Sequence, residues 1–369
     1  MTLPTIAIAH QTIVDGDAIG NDILGMYSIL RNQGYEVGLI AENLTNDLKG
    51  FQLNSRQHDR FMENKNSVLI YHHSVYWKEG EEILNKFKGK TFFKFHNITP
   101  PHFFEKYSSF YYEICLQGMR QTDRLLKKFC HSFWWGDSEF NSRQLKAGGL
   151  KPEFSLTIPP FTQLEKLKNV EPNFSLIDSL IGNNCNNVLF VGRVAPNKGH
   201  IHLMKTLRNY KENYDNKIHL WLVGSMDQQE LQLYNIMLLD LIRKYNLKDS
   251  ISFIDKISEK DLKSYYISCD EFLCMSEHEG FCVPIIEAQK FELPVIAHSG
   301  TALLETIGNK QIMFDTFDYD FSASALYTVF SDEKIQDFCR KYGSENVTSR
   351  FSQEIIQKKF LTAFQMTGS

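Results

Sequence analysis

Short apolar runs, polar loops and stretches with apolar residues three and four apart alternate along this chain, and the alternation happens twice. Residues 5–9 (TIAIA) predict a buried strand. Residues 21–33 predict a helix, with Ile23, Tyr27 and Leu30 on one side and Gly34 as its stop. Residues 36–41, 68–72, 91–95 and 154–158 read as further strands, and Pro159-Pro160 breaks the pattern. Residues 162–187 have no long periodicity and several Asn and Pro, which predicts a linker with a loosely structured lead-in. The alternation then restarts. Strands 188–191, 218–223, 251–254, 271–275 and 294–297 are interleaved with helices 201–210, 229–245, 259–267 and 283–291. In helix 229–245 the expected apolar side is Leu231, Ile236, Leu239 and Ile242. Strands alternating with helices imply parallel sheets. The economical architecture is α/β, two doubly wound Rossmann-like domains facing a cleft. The expected domains are 1–160 and 161–345, with a C-terminal helix in 346–369 that has the first domain as one packing partner.

Composition narrows the function classes. At 369 residues the chain exceeds what one core usually holds. A net charge of −4, with no basic run interleaved with aromatics, argues against general nucleic-acid binding. The seven cysteines are odd in number and contain no C-x-x-C pair, which favours a reduced compartment and no structural zinc. The amino terminus lacks a basic region followed by a long apolar core, and no stretch reaches 18 uncharged apolar residues. A cytoplasmic protein is expected. Residues 102–116 (HFFEKYSSFYYEICL) are unusually aromatic. Most such runs are buried; the alternative is an amphipathic face for a lipid-linked acceptor or the inner surface of the membrane.

Candidate chemistry concentrates in two loops. Residues 275–287 (MSEHEGFCVPIIE) leave a strand, cross a loop holding Glu279 and Gly280, and enter a helix opened by Pro284. Such loops collect unpaired N–H groups and a positive dipole end, where open α/β sheets bind phosphates and sugars. Glu279 and Glu287 bracket that site, although an acidic residue near a helix start also serves as a dipole partner. The second loop carries Gly192-Arg193 and Lys198-Gly199 after strand 188–191. Two cations five apart can straddle a diphosphate, with Arg as a bidentate fork and Lys as a mobile charge. The bland reading is a solvated basic loop. Neither a P-loop nor G-x-G-x-x-G is present, so ATP hydrolysis and a nicotinamide cofactor are not indicated.

VGRVAPNKG and EHEGFCVPIIEA together resemble glycosyltransferase family 4, retaining enzymes of the GT-B architecture. The likeness is good from Val188 to about Glu305 and only in outline before that. It implies that Glu279 contacts donor-sugar hydroxyls, Glu287 holds the ribose, and Arg193 and Lys198 neutralise the leaving diphosphate. FIDKIS resembles the stretch that meets the base, implicating Lys256 and Ile257, while Gly280, Phe281 and Cys282 line the donor. Cys282 stands where glycine is commoner, and residues 302–305 lack the proline many relatives have before the glutamate. In the first half, His96 of FHNITP resembles the histidine facing the donor sugar; His96 and Asn97 as a simple turn cap is the alternative. His72-His73 ends another strand, with one of the two expected to face the cleft. The VDGDAIGND loop resembles the glycine-bearing loop near donor phosphate and acceptor, implicating Gly16 and Asp17. Asp15-Gly16-Asp17 has the D-x-D form of a metal site in another glycosyltransferase architecture, and is read as coincidence.

The expectation is a hexosyltransferase working without metal or cofactor. It would move sugar from a nucleoside diphosphate sugar to a saccharide or lipid-linked saccharide in cell-surface polysaccharide synthesis, lipopolysaccharide included. Catalysis would rest on Glu279, His96, Arg193 and Lys198. A sugar-nucleotide epimerase of the same fold and a non-catalytic sugar-nucleotide binding subunit are the alternatives. Peripheral contact with the membrane is an optional addition.

Overall fold

The computed structural model describes residues 3–214, 217–226, 229–255 and 257–365. The chain divides into two compact units. One comprises residues 1–101, 113–163 and 353–369; the other comprises 102–112 and 164–352.

The first unit holds a six-stranded parallel sheet. Its strands are β1 (Thr5–Ala9), β2 (Glu36–Ile40), β3 (Val68–His73), β4 (Lys90–Phe95), β5 (Phe133–Gly136) and β6 (Ser155–Thr157), in the order β2-β1-β3-β4-β5-β6. β1 and β3 are almost wholly buried, as expected of parallel strands covered on both faces. Helix Gln353–Gln365 contributes Ile356, Phe360, Ala363 and Phe364 to this unit's core, where Phe360 meets Trp135 edge-on.

The second unit repeats the plan with β7 (Asn186–Val191), β8 (Ile218–Val223), β9 (Ile251–Ile254), β10 (Glu271–Cys274), β11 (Val295–His298) and β12 (Ile312–Phe314). The order β9-β8-β7-β10-β11-β12 is that of a dinucleotide-binding sheet, and it reverses direction between β7 and β10. Among the described residues no helix is long and apolar enough to cross a membrane.

Several expectations need correction. Residues 162–187 are not a loose linker. They form helices Leu164–Asn169 and Phe174–Gly182 before β7 begins, and Leu164, Leu167 and Leu180 are buried. Helices of 6 and 9 residues are shorter than the window in which periodicity is legible. In helix Gln232–Lys244 the core side is Tyr234, Leu238 and Ile242, whereas Ile236 and Leu239 are 55% and 41% exposed. Apolar residues surround that helix, so its face was ambiguous. Residues 102–112 lie in the first half of the sequence yet pack with the second unit. There Phe104 is buried against Tyr111, and Tyr107 meets Tyr234. Most of the aromatic run is therefore in contact with protein, with Phe110 left 52% exposed.

At the end of β10 remote from its loop, Glu271 is fully buried. Burial, then the charge of Asp270, push its carboxyl well above the usual range, and the Asn186 side chain opposes only in part. A folded-state pKa above the unfolded one gives a contribution that is complete below the unfolded pKa and lost as pH rises. Glu271→Gln is therefore expected to raise the melting temperature at pH 8, by about 2–4 °C per kcal/mol recovered. The gain should fade towards pH 5. Scanning calorimetry at both pH values decides it; an equal gain at both would mean that Glu271 does not titrate.

Candidate functional site

In the second unit the carboxyl ends of β7 and β10, neighbours across the reversal, carry the two loops singled out by sequence. Gly199 joins them. Its φ is +72°, and a Cβ there would lie 1.9 Å from the carbonyl oxygen of Met275, so only glycine permits this approach. Asn197 stitches the loops further. Its carbonyl accepts the N–H of Glu277 at 2.9 Å, and its side chain donates to the carbonyl of His278 at 3.1 Å.

This brings Lys198 and Glu279 into direct contact. Nζ of Lys198 lies 2.7 and 2.8 Å from the two Glu279 carboxylate oxygens. Burial works to lower the Lys198 ammonium, but Glu279 outweighs it and holds Lys198 above its ordinary value. Glu279 is 7% exposed, and its own N–H donates to Thr301 Oγ1 at 3.0 Å. Residues 301–302 thus fold onto the site. Arg193 is exposed, its guanidinium 6.0 Å from the centre of the Tyr111 ring. His278 is pushed down to about 4, chiefly by burial, which keeps it neutral at pH 7.

Helix Val283–Lys290 starts at this site, with Pro284 in its first turn and Cys282 as N-cap. Cys282 has φ +76°, ψ +75°, and its side chain makes no capping bond. A β-carbon in that region costs on the order of 1–3 kcal/mol, which gives the physical reason for glycine at this position. The first N–H groups of the helix face the same end. One turn in, Glu287 accepts a 2.7 Å hydrogen bond from the Tyr266 hydroxyl, and burial raises its carboxyl despite that bond. Phe281 is buried with its ring against Phe351, so its side chain serves the core. Gly280 is partly exposed beside it, and Ile257 packs on the core of this unit. Lys256 lies outside the described residues.

In the first unit Gly16, at φ +87°, donates its N–H to Asn21 Oδ1 at 3.1 Å. Asp17 is the exposed N-cap of helix Ala18–Asn32 and makes no side-chain capping bond. His96 follows β4, and both its ring nitrogens are engaged within this unit. Nδ1 lies 2.8 Å from Asp137 Oδ2, and Nε2 lies 2.8 Å from His72 Nδ1. His72 and His73 are both buried, each 1% exposed. His73 turns to the opposite side, 2.8 Å from Thr122 Oγ1. Burial lowers both imidazoles, His73 to about 3.

Sequence reading missed Lys94, Asp22 and Asp137, which surround His96. It also missed Tyr266, Thr301 and Asn197 around the glutamates. The available signal was Lys94 itself, a lysine inside the apolar strand KTFFKF.

Comparison with known proteins bears on the fold and on residues 177–346. Residues 177–346 match the family model for glycosyl transferases group 1. Capsular polysaccharide biosynthesis glycosyltransferase CapM of Staphylococcus aureus is 27% identical over 169 residues, covering 45% of this chain and 42% of CapM. O-antigen chain mannosyltransferase B of Escherichia coli is 23% identical over 130 residues, covering 35% of this chain and 34% of that protein. The matched stretches thus span less than half the length of these curated relatives. Among solved structures, Anabaena Alr3699/HepE in complex with UDP and glucose aligns with a TM-score of 0.75 at 16% identity, over 98% of this chain and 100% of its own. A glycosyltransferase from Rickettsia africae aligns with a TM-score of 0.75 at 17% identity, over all of both chains. The chain has the GT-B fold, and residues 177–346 carry its match to glycosyl transferases group 1.

Proposed function

We propose that the protein is a metal-independent retaining glycosyltransferase of the family 4 type. It moves a hexose from a nucleoside diphosphate sugar to a saccharide or lipid-linked acceptor. The observation that carries the reading is the Lys198–Glu279 pair beside Arg193, placed at the carboxyl ends of β7 and β10 where the sheet order reverses. Departure of a nucleoside diphosphate creates negative charge; Arg193, Lys198 and the start of helix Val283–Lys290 are preorganised to stabilise it. Lys198 is cationic against Glu279 and stays so when a more highly charged diphosphate arrives. Glu279 holds donor-sugar hydroxyls. Glu287, with Tyr266 on one oxygen, holds the ribose through the other. Backbone N–H groups of Gly280, Phe281 and Cys282 line the sugar, and Ile257 and Lys256 flank the base. Gly16 and Asp17 form the acceptor and phosphate loop, and His96 is the first unit's contribution to the chemistry. The names of the similar capsule and O-antigen enzymes support a role in cell-surface polysaccharide synthesis. HepE with UDP-glucose supports UDP as the first nucleotide to test.

The test is calorimetric titration of UDP, GDP and ADP, followed by transfer assays with the matching sugars and anomeric analysis of the product. Micromolar binding of one diphosphate in the presence of EDTA is expected, because Arg193, Lys198 and the helix start supply the positive charge that a divalent ion would otherwise bring. Absence of binding by all three, or binding only with manganese or magnesium, would overturn the reading.

A further inference from the structure

The side chains around His96 form a triangle of metal-site dimensions. Asp22 Oδ2 lies 3.9 Å from His72 Nδ1 and 3.8 Å from His96 Nε2, and the two nitrogens are 2.8 Å apart. Ligands on a tetrahedral zinc, with bonds of about 2.0–2.1 Å, stand about 3.4 Å from one another. Among the described residues this is the one trio of His, Cys, Asp and Glu close enough to hold an ion. A lysine is already there. Lys94 Nζ is 3.8 Å from the same Asp22 oxygen and 2.6 Å from Asp137 Oδ1, and it also donates to the carbonyl of Ile158. Lys94 and Asp22 are wholly buried.

Sheet register explains the meeting. His72 and Lys94 are partners across β3 and β4, so their side chains share a face; His96 follows two residues later. Helix Ala18–Asn32 brings Asp22 from above, tied by a 2.8 Å hydrogen bond from the N–H of Phe161.

We propose that Lys94 is the built-in cation of this cluster, taking the place of a metal ion and, with Asp137, positioning the His96 ring. Charge supports it: a buried ammonium beside Asp22 repels a second cation, and two buried carboxylates need the compensation it provides. Hydrogen bonding supports it as well. Asp137 accepts from His96, which puts a proton on Nδ1 and makes Nε2 an acceptor for His72 Nδ1–H. His72 Nε2 is then a bare lone pair, which fits a buried atom that has no hydrogen-bond partner among the described residues. Lys94 and Asp137 are thus positioning residues, and their kinetic consequence rests on the transferase reading above.

The test starts on the unmodified protein. After chelation, calorimetric titration with Zn²⁺ should show no site tighter than millimolar. Long-range ¹H–¹⁵N spectra of histidine-labelled protein, assigned with His96→Gln, should show His96 protonated at Nδ1 at pH 7. Lys94→Met should lower kcat at least ~10-fold, the low end for losing a residue that orients a functional histidine. Affinity for the nucleoside diphosphate, whose proposed contacts lie in the second unit except for the Gly16–Asp17 loop, should stay within twofold. Lys94→Arg should recover part of kcat. One tight zinc per chain, a His96 protonated only at Nε2, or a Lys94→Met variant with normal kcat would each overturn the proposal. The zinc and spectral measurements decide it even if Lys94→Met does not fold or no transferase activity is found.

Discussion

Arg193→Ala and Lys198→Ala are each expected to cut turnover by at least ~100-fold, the scale of removing one preorganised group that stabilises developing charge. The two should differ in stability. Arg193 is exposed, with its guanidinium 6.0 Å from the Tyr111 ring centre, so its loss should leave unfolding within about 0.5 kcal/mol of the parent. Lys198 is different, because its removal strands the nearly buried carboxylate of Glu279. Breaking one side of such a pair destabilises more than the pair is worth. Lys198→Ala should therefore also lower the melting temperature. A Lys198→Met/Glu279→Gln double variant should recover stability and not turnover. Steady-state kinetics with calorimetry on the three variants separates the effects. Near-normal turnover in both single variants would remove the diphosphate assignment, and full recovery of turnover in the double variant would make Lys198 merely a partner for Glu279.

The second unit was legible because its chemistry is local. Arg193 and Lys198 lie in one loop, Glu279 and Glu287 eight positions apart across a strand-to-helix junction, and no long-range pairing is needed to see either group. What joins the two loops was not legible. Gly199 looks like any loop glycine until the Met275 carbonyl is placed 1.9 Å from its missing Cβ. The strain at Cys282 likewise depends on the φ of one residue. The first unit shows the opposite case. Asp22, His72, the Lys94–His96 pair and Asp137 come from four separate stretches; the register of parallel strands aligns the last three, and a helix adds Asp22. Read along the sequence, Asp22 is an ordinary polar residue of a helix. His96 was found by its strand-end position, but its orientation, with both ring nitrogens engaged, depends on partners up to 41 residues away.

The two glutamates should fail differently. Glu287 lies inside helix Val283–Lys290, bonded to Tyr266, and its proposed partner is the ribose, a part of the donor that does not react. Loss of such an interaction weakens ground state and transition state alike, so Glu287→Gln should mainly raise the KM for the donor. The amide can still accept from Tyr266, which keeps the fold and confines the change to the ligand side. Glu279 sits on Lys198 beside the proposed sugar position, where charge changes during reaction. Glu279→Gln frees Lys198 from its carboxylate and should lower kcat, while affinity for the nucleoside diphosphate is retained within a few-fold or improves. An ammonium no longer paired has more attraction left for phosphate. Measuring kcat and KM for both variants, with calorimetry on the diphosphate, decides between the roles. Loss of diphosphate affinity in Glu279→Gln with none in Glu287→Gln would mean that the roles are exchanged, and that the Lys198–Glu279 pair as a whole, rather than Lys198 alone, forms the anion site.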